Sequence, residues 1–205
     1  MNIDYSKPTE TACCLSRGSV INYAKVKRGD VCLYLGLETD VNQLAEKVGD
    51  EGSVFVVDID ERLILKAQKN IQKLGGSNIH LVRSEDDTFH IESQTIDYIV
   101  LDCMIYFAKN KQKLWHEIYR VLKKRGRFVI RDFFSEKPMS VEYRNNPEMI
   151  AACLTETVTK EEYLRIVDNA GFLRVAIIEE SQPYEKGKIL VSGFIIAGEK
   201  QYCCC

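Results

Sequence analysis

Residues 31–58 read VCLYLGLETDVNQLAEKVGDEGSVFVVD, and this stretch decides the fold. Val31–Leu35 is an unbroken apolar run stopped by Gly36, the pattern of a strand buried on both faces. Val41, Leu44, Ala45 and Val48 then recur at helical spacing, and Gly49 is a natural stop for that helix. Val54–Val57 reads as a second buried strand, closed by Asp58. Two wholly apolar strands joined through a helix make a parallel βαβ unit, because parallel strands need a crossover.

The alternation continues outward to about residue 131. Leu63, Ala67, Ile71 and Leu74 form one helical stripe before Gly75–Gly76, and Ile79–Val82 and Ile96–Leu101 read as strands. Leu114, Ile118, Val121 and Leu122 mark the next helix, with Lys123–Arg125 as its solvated cationic end, where positive charge suits the dipole. Gly126 separates it from the strand Arg127–Ile130. Ser135–Cys153, with Pro138 and Pro147, reads as an excursion over the sheet edge. Thr159 and Glu162 form a capping box for a helix through Leu164, Val167 and Ala170 that stops at Gly171. Phe172–Ile178 and Lys188–Ala197 then read as an antiparallel pair joined by a Pro183–Gly187 loop. The organisation is an N-terminal segment at 1–30 carrying Cys13–Cys14, a domain at 31–197, and a cysteine-rich tail at 198–205.

The chain has 205 residues, 45% of them hydrophobic, enough for one domain with a full core. A formal net charge of −2 gives no footprint for nucleic acid or an anionic membrane. Apolar runs such as Phe128–Ile130 and Phe194–Ala197 are far too short to cross a bilayer, and residues 1–30 lack a signal core. The expected setting is cytoplasmic, where thiols stay reduced. Eight cysteines then point to soft-ion or redox chemistry rather than a disulfide framework. Cys32, inside an apolar strand, is a core residue on this reading, and Cys103, at a strand end, lies between core and ligand.

In an open α/β sheet, ligands bind beyond the carboxyl ends of the strands at the switch point. Asp58 lies 22 residues after Gly36, where a carboxylate can accept both hydroxyls of a ribose. The turn after the first strand keeps only Gly36 of a glycine-rich pattern, with Glu38 and Asp40 at the other glycine positions. Two carboxylates there repel a pyrophosphate, which disfavours a dinucleotide dehydrogenase. Asp40 also has a plain structural role as a helix cap.

Four blocks carry a resemblance: Val26–Gly36, Val54–Asp58, Tyr98–Cys103 and Ile118–Ile130. Together they resemble class I S-adenosylmethionine (SAM)-dependent methyltransferases. Arg131–Pro138, Cys153, Thr159–Tyr163 and Ala170–Phe172 bring the likeness nearest to arsenite methyltransferases, over residues 15–197. The resemblance implies an α/β, Rossmann-like fold: a seven-stranded mixed sheet of order 3-2-1-4-5-7-6 with helices on both faces. It assigns SAM binding to Gly36, Asp58, Ile59, Glu85 and Asp102, with Asp58 on the ribose, Glu85 near the adenine amino group and Asp102 under the cofactor. It makes Cys153, Cys14 and Cys13 the catalytic thiols. Trivalent arsenic is soft and takes three sulfurs, so Cys13, Cys14, Cys153, Cys203, Cys204 and Cys205 are its candidate ligands.

The chain departs from that family at Tyr34, where an acid is usual, and at Arg17, where a cysteine is usual. A cysteine usual before the last strand is also missing from Pro183–Lys188. The activity implied is methyl transfer from SAM to thiolate-bound trivalent arsenic. The alternative is a non-catalytic relative that binds soft metal or metalloid ions, or a protein partner, through its cysteines. The expected partners are a small-molecule or metalloid substrate and a second copy or partner subunit, with no nucleic acid and no membrane.

Overall fold

The opening unit forms as its residues demand: β1 (Val31–Leu35), α1 (Asp40–Val48) and β2 (Ser53–Asp58). In this computed structural model the residues described are 19–35, 40–58, 77–102, 105, 108, 110–144 and 154–201. The predicted helix over residues 63–74 lies outside them. A short 3-10 turn, Val20–Tyr23, precedes β1. After β2 come β3 (Ile79–Glu85), β4 (Thr88–Phe89), β5 (Ile96–Asp102), α2 (Lys111–Val121) and β6 (Leu122–Ser135). The chain continues through α3 (Val141–Arg144), α4 (Lys160–Asn169), β7 (Val175–Glu180), β8 (Tyr184–Lys186) and β9 (Ile189–Glu199).

The strands form one sheet of order β4-β3-β2-β1-β5-β6-β9-β7, with β8 paired to β9. β3, β2, β1, β5 and β6 run parallel, while β9 and β7 are antiparallel to their neighbours. Leaving out β4 and β8, the order is the one the resemblance implies. The expected seven strands are nine here because two turns fold the chain back. Asp86 and Asp87, at φ 48° and 58°, return Thr88–Phe89 onto β3. Gly187, at φ 61°, closes a two-residue hairpin, so Tyr184–Lys186 of the predicted loop pairs with β9 as a strand.

Two more expectations are corrected. α2 stops at Val121, and Lys123 belongs to β6, donating Nζ to Asp97 Oδ2 at 2.7 Å rather than ending a helix in solvent. The strand predicted from Phe172 begins at Val175 instead. Phe172 is spent on the core first, edge-on to Trp115, Tyr119 and Phe128.

One face of the sheet carries α2 and α4 over a core around Trp115, which is wholly buried and also meets Tyr163 edge-on. The other carries α1 and the 3-10 turn over Cys32, Tyr34, Val54 and Val100. Burial, reinforced by the charges of Asp30 and Asp97, pushes the Cys32 thiol far above its ordinary value, as its core reading requires. Thr159 caps α4 by accepting the Glu162 amide at 3.3 Å. Among the described residues no helix is long and apolar enough to cross a membrane.

Candidate functional site

The parallel strands all end on one edge, and the order reverses about β1, with β2 on one side and β5 on the other. Leu35, the last residue of β1, is registered with Val57 on β2 and Leu101 on β5. The next residue on each neighbour is an acid, Asp58 or Asp102. Two carboxylate-bearing positions therefore flank the tip of β1, roughly 10 Å apart across two strand spacings. Of Asp58 only the backbone position is described. Glu85 ends β3, one strand further out, and is well exposed, with Arg83 at 3.8 Å and His90 at 3.9 Å from its carboxylate.

Asp102 is buried, and both of its oxygens are engaged by Arg131. Nε donates to Oδ1 at 2.7 Å and Nη2 donates to Oδ2, a fork-to-fork pairing. Asp102 and Arg131 are Cα partners on adjacent strands, so backbone register puts the pair in place. A carboxylate has about four lone-pair directions, so this fork does not exhaust its capacity to accept. Sequence reasoning missed Arg131. The available signal was a charge just past the apolar run of β6, matched by an acid just past the apolar run of β5.

Two residues beyond Arg131, Phe133 packs with the buried Leu154 and Val191, joined by Met139, Tyr143 and Tyr184. Lys186 Nζ lies 4.1 Å from the centre of the Phe133 ring, so the β8–β9 hairpin covers this cluster. Leu154 follows Cys153 in the chain, and its position is fixed on the face that carries Arg131 and Asp102. On the opposite face, burial pulls the Lys111 ammonium below its ordinary range, outweighing Glu156, Asp132 and Asp87, which act the other way.

Cys13, Cys14, Gly36, Glu38, Ile59, Cys103, Cys153 and Cys203–Cys205 lie outside the described residues. Among the described residues no three His, Cys, Asp or Glu side chains gather to hold a metal ion. The residue that leads into the cysteine tail is described, however. Lys200 sits at the opposite edge, its amide donating to the Gly126 carbonyl at 2.8 Å and its Nζ to the Tyr119 and Leu122 carbonyls at 2.6 and 2.8 Å.

A mixed sheet whose central parallel strands end in acids on both sides of the switch point is a Rossmann-like fold. Residues 38–171 match the methyltransferase domain, and the chain belongs to that family. The arsenite methyltransferase of Halobacterium salinarum is 26% identical over 173 residues, covering 83% of this chain and 44% of that protein. The ubiquinone/menaquinone biosynthesis C-methyltransferase UbiE of Enterobacter sp. is 26% identical over 128 residues, 60% of this chain and 51% of that one. The chain thus spans about half the length of these relatives or less. An arsenic(III) S-adenosylmethionine methyltransferase structure from Chlamydomonas reinhardtii superposes with a TM-score of 0.72 at 20% identity, over 86% of this chain and 65% of that one. That likeness is one of fold.

Proposed function

We propose that the chain is a SAM-dependent methyltransferase whose acceptor is trivalent arsenic held on thiolates. The observation that carries the reading is the pair of acids, Asp58 and Asp102, flanking the tip of β1 at the switch point. The residues present fit the cofactor: an acid at the β2 tip for a ribose diol, and an exposed acid at the β3 tip, two strands from β1, for an adenine amino group. When bound, SAM supplies an electrophilic methyl group on sulfonium. Asp58 anchors the ribose, and Asp102, oriented by Arg131, borders the cofactor from the β5 side.

Cys153, with Cys13 and Cys14, holds the arsenic, since soft thiolates retain a soft ion at neutral pH. The anchoring of Leu154 on Phe133 and Val191, beside Arg131, supports this placement of the acceptor. The apolar cluster there limits water at the acceptor. No general acid or base is needed, because the arsenic lone pair is the nucleophile.

Calorimetric titration of SAM, with and without arsenite, tests the reading. SAM binding is expected to weaken at least tenfold in Asp58→Ala, and arsenite binding to be lost in Cys153→Ser with SAM binding kept. Absence of any heat with millimolar SAM overturns it. One observation favours the second reading, a soft-ion binder without methyl transfer: Asp102 is already matched by a guanidinium. Arsenite binding in a chain that does not bind SAM is the outcome that selects it.

A further inference from the structure

The Asp102–Arg131 fork has a consequence for any ligand charged at the sulfur. A buried carboxylate standing alone attracts a cation strongly, whereas one matched by a guanidinium presents almost no net charge. Arg131 is fixed by register, and its side chain is itself mostly buried, so bulk water does little to screen the pair. SAM and the S-adenosylhomocysteine left after methyl loss share adenosine and amino-acid parts. They differ only at sulfur, a methylated sulfonium cation in one and a neutral thioether in the other. A site tells them apart through the methyl group and through the potential it places at that atom.

We infer that Arg131 sets how the site discriminates methyl donor from spent product. By cancelling Asp102 it removes the attraction that the β5 tip would give the sulfonium charge, and the product is retained almost as tightly as the donor. Arg131 is a positioning residue acting through Asp102. The inference rests on the SAM-dependent reading of the site.

The test is calorimetric titration of the full chain with SAM and with S-adenosylhomocysteine, read as the ratio of the two dissociation constants. Removing one charge from the β5–β6 tip, at intermediate dielectric, is expected to change that ratio about tenfold or more. Arg131→Met raises the preference for SAM by that factor, Arg131→Lys keeps the wild-type ratio, and the neutral pair Asp102→Asn/Arg131→Met returns to it. Asp102→Asn alone, which removes the negative charge and keeps the guanidinium, moves the ratio the other way and serves if Arg131→Met does not fold. Equal weakening of both ligands, the signature of a merely structural role, overturns the inference, as does a ratio that stays put in folded variants. A wild-type chain that binds neither ligand fails earlier, at the methyltransferase reading itself, and is told apart on that ground.

Discussion

The two edges of the sheet handle charge differently. At the amino edge, side chains are tied to the chain's own backbone: Lys200 bridges two carbonyls at the end of α2 and lies 4.4 Å from the Tyr119 ring centre. Asp97 there accepts the Val31 amide at 3.0 Å as well as Lys123. At the carboxyl edge Asp87 and Asp132 accept the amides of Asn110 and Phe133 at 2.7 and 2.9 Å, whereas both oxygens of Asp102 are taken up by a side chain, the Arg131 fork. An edge that satisfies its own main chain serves stability. A carboxylate held by a side chain, as Asp102 is, keeps acceptors for a ligand.

The largest effect expected from breaking this contrast is at Arg131. Arg131→Met strands a buried carboxylate and should cost about 3–5 kcal/mol in unfolding free energy by chemical denaturation. Lys123→Met at the other edge removes a partner from a pair whose side chains are about a third or more exposed, and should cost at most about 1 kcal/mol. Equal losses would erase the distinction between the edges.

Next in size is the clasp between α2 and β4. Glu117 is buried and accepts the Phe89 amide at 2.7 Å and Arg120 Nε and Nη2 at 2.7 Å each. Burial alone would raise its carboxyl. The hydrogen bonds from Arg120 and Phe89, with the charges of Arg120 and Lys113, outweigh that and hold it below its ordinary value. A depressed carboxyl contributes stability that is full above its unfolded value and fades as pH falls through its folded value. Stability should therefore decline below about pH 5 more steeply in the wild type than in Glu117→Gln, which itself should lose about 1–3 kcal/mol at pH 7. Parallel pH profiles would remove Glu117 from the account.

Lys200→Met follows, at about 1–2 kcal/mol, because two carbonyls at the end of α2 lose their donor. Thermal unfolding reads it, and an unchanged midpoint would mean that water replaces the ammonium without loss.

Most of the fold was legible because buried strands announce themselves. Val31–Leu35 and Ile96–Asp102 are apolar almost throughout, and Thr159 with Glu162 marks the start of α4. What stayed hidden depends on three-dimensional proximity. β4 and β8 are two and three residues long and carry no periodicity, so only the turns at Asp86–Asp87 and Gly187 create them. Phe172 reads as strand by composition, yet the gap beside Trp115 claims it for packing. In the site, Asp58 was visible from its spacing after Gly36. Arg131 was not, since its meaning comes from the register of β6 against β5.

The smallest effect concerns the cysteine tail, and it follows from the same contrast of edges. β9 carries the chain away from the candidate site: Gly193 pairs with Phe133, and Glu199 with Arg127 near the start of β6. From Gly193 to Lys200 the strand covers about 24 Å, at roughly 3.4 Å per residue. Doubling back from Lys200, a fully extended chain takes Cys203 at most about 11 Å and Cys205 about 18 Å. Both reaches are shorter than the span from Lys200 back to Gly193, so arsenite binding at Cys153 is predicted not to depend on the tail. Replacing Cys203, Cys204 and Cys205 together by serine should leave SAM affinity and the arsenite affinity of the Cys153 site within twofold of the wild type. Unfolding free energy should shift by no more than about 0.5 kcal/mol, the scale of an ordinary surface substitution. A loss of arsenite binding as large as that of Cys153→Ser would place the tail at the carboxyl edge and undo the separation of the two edges.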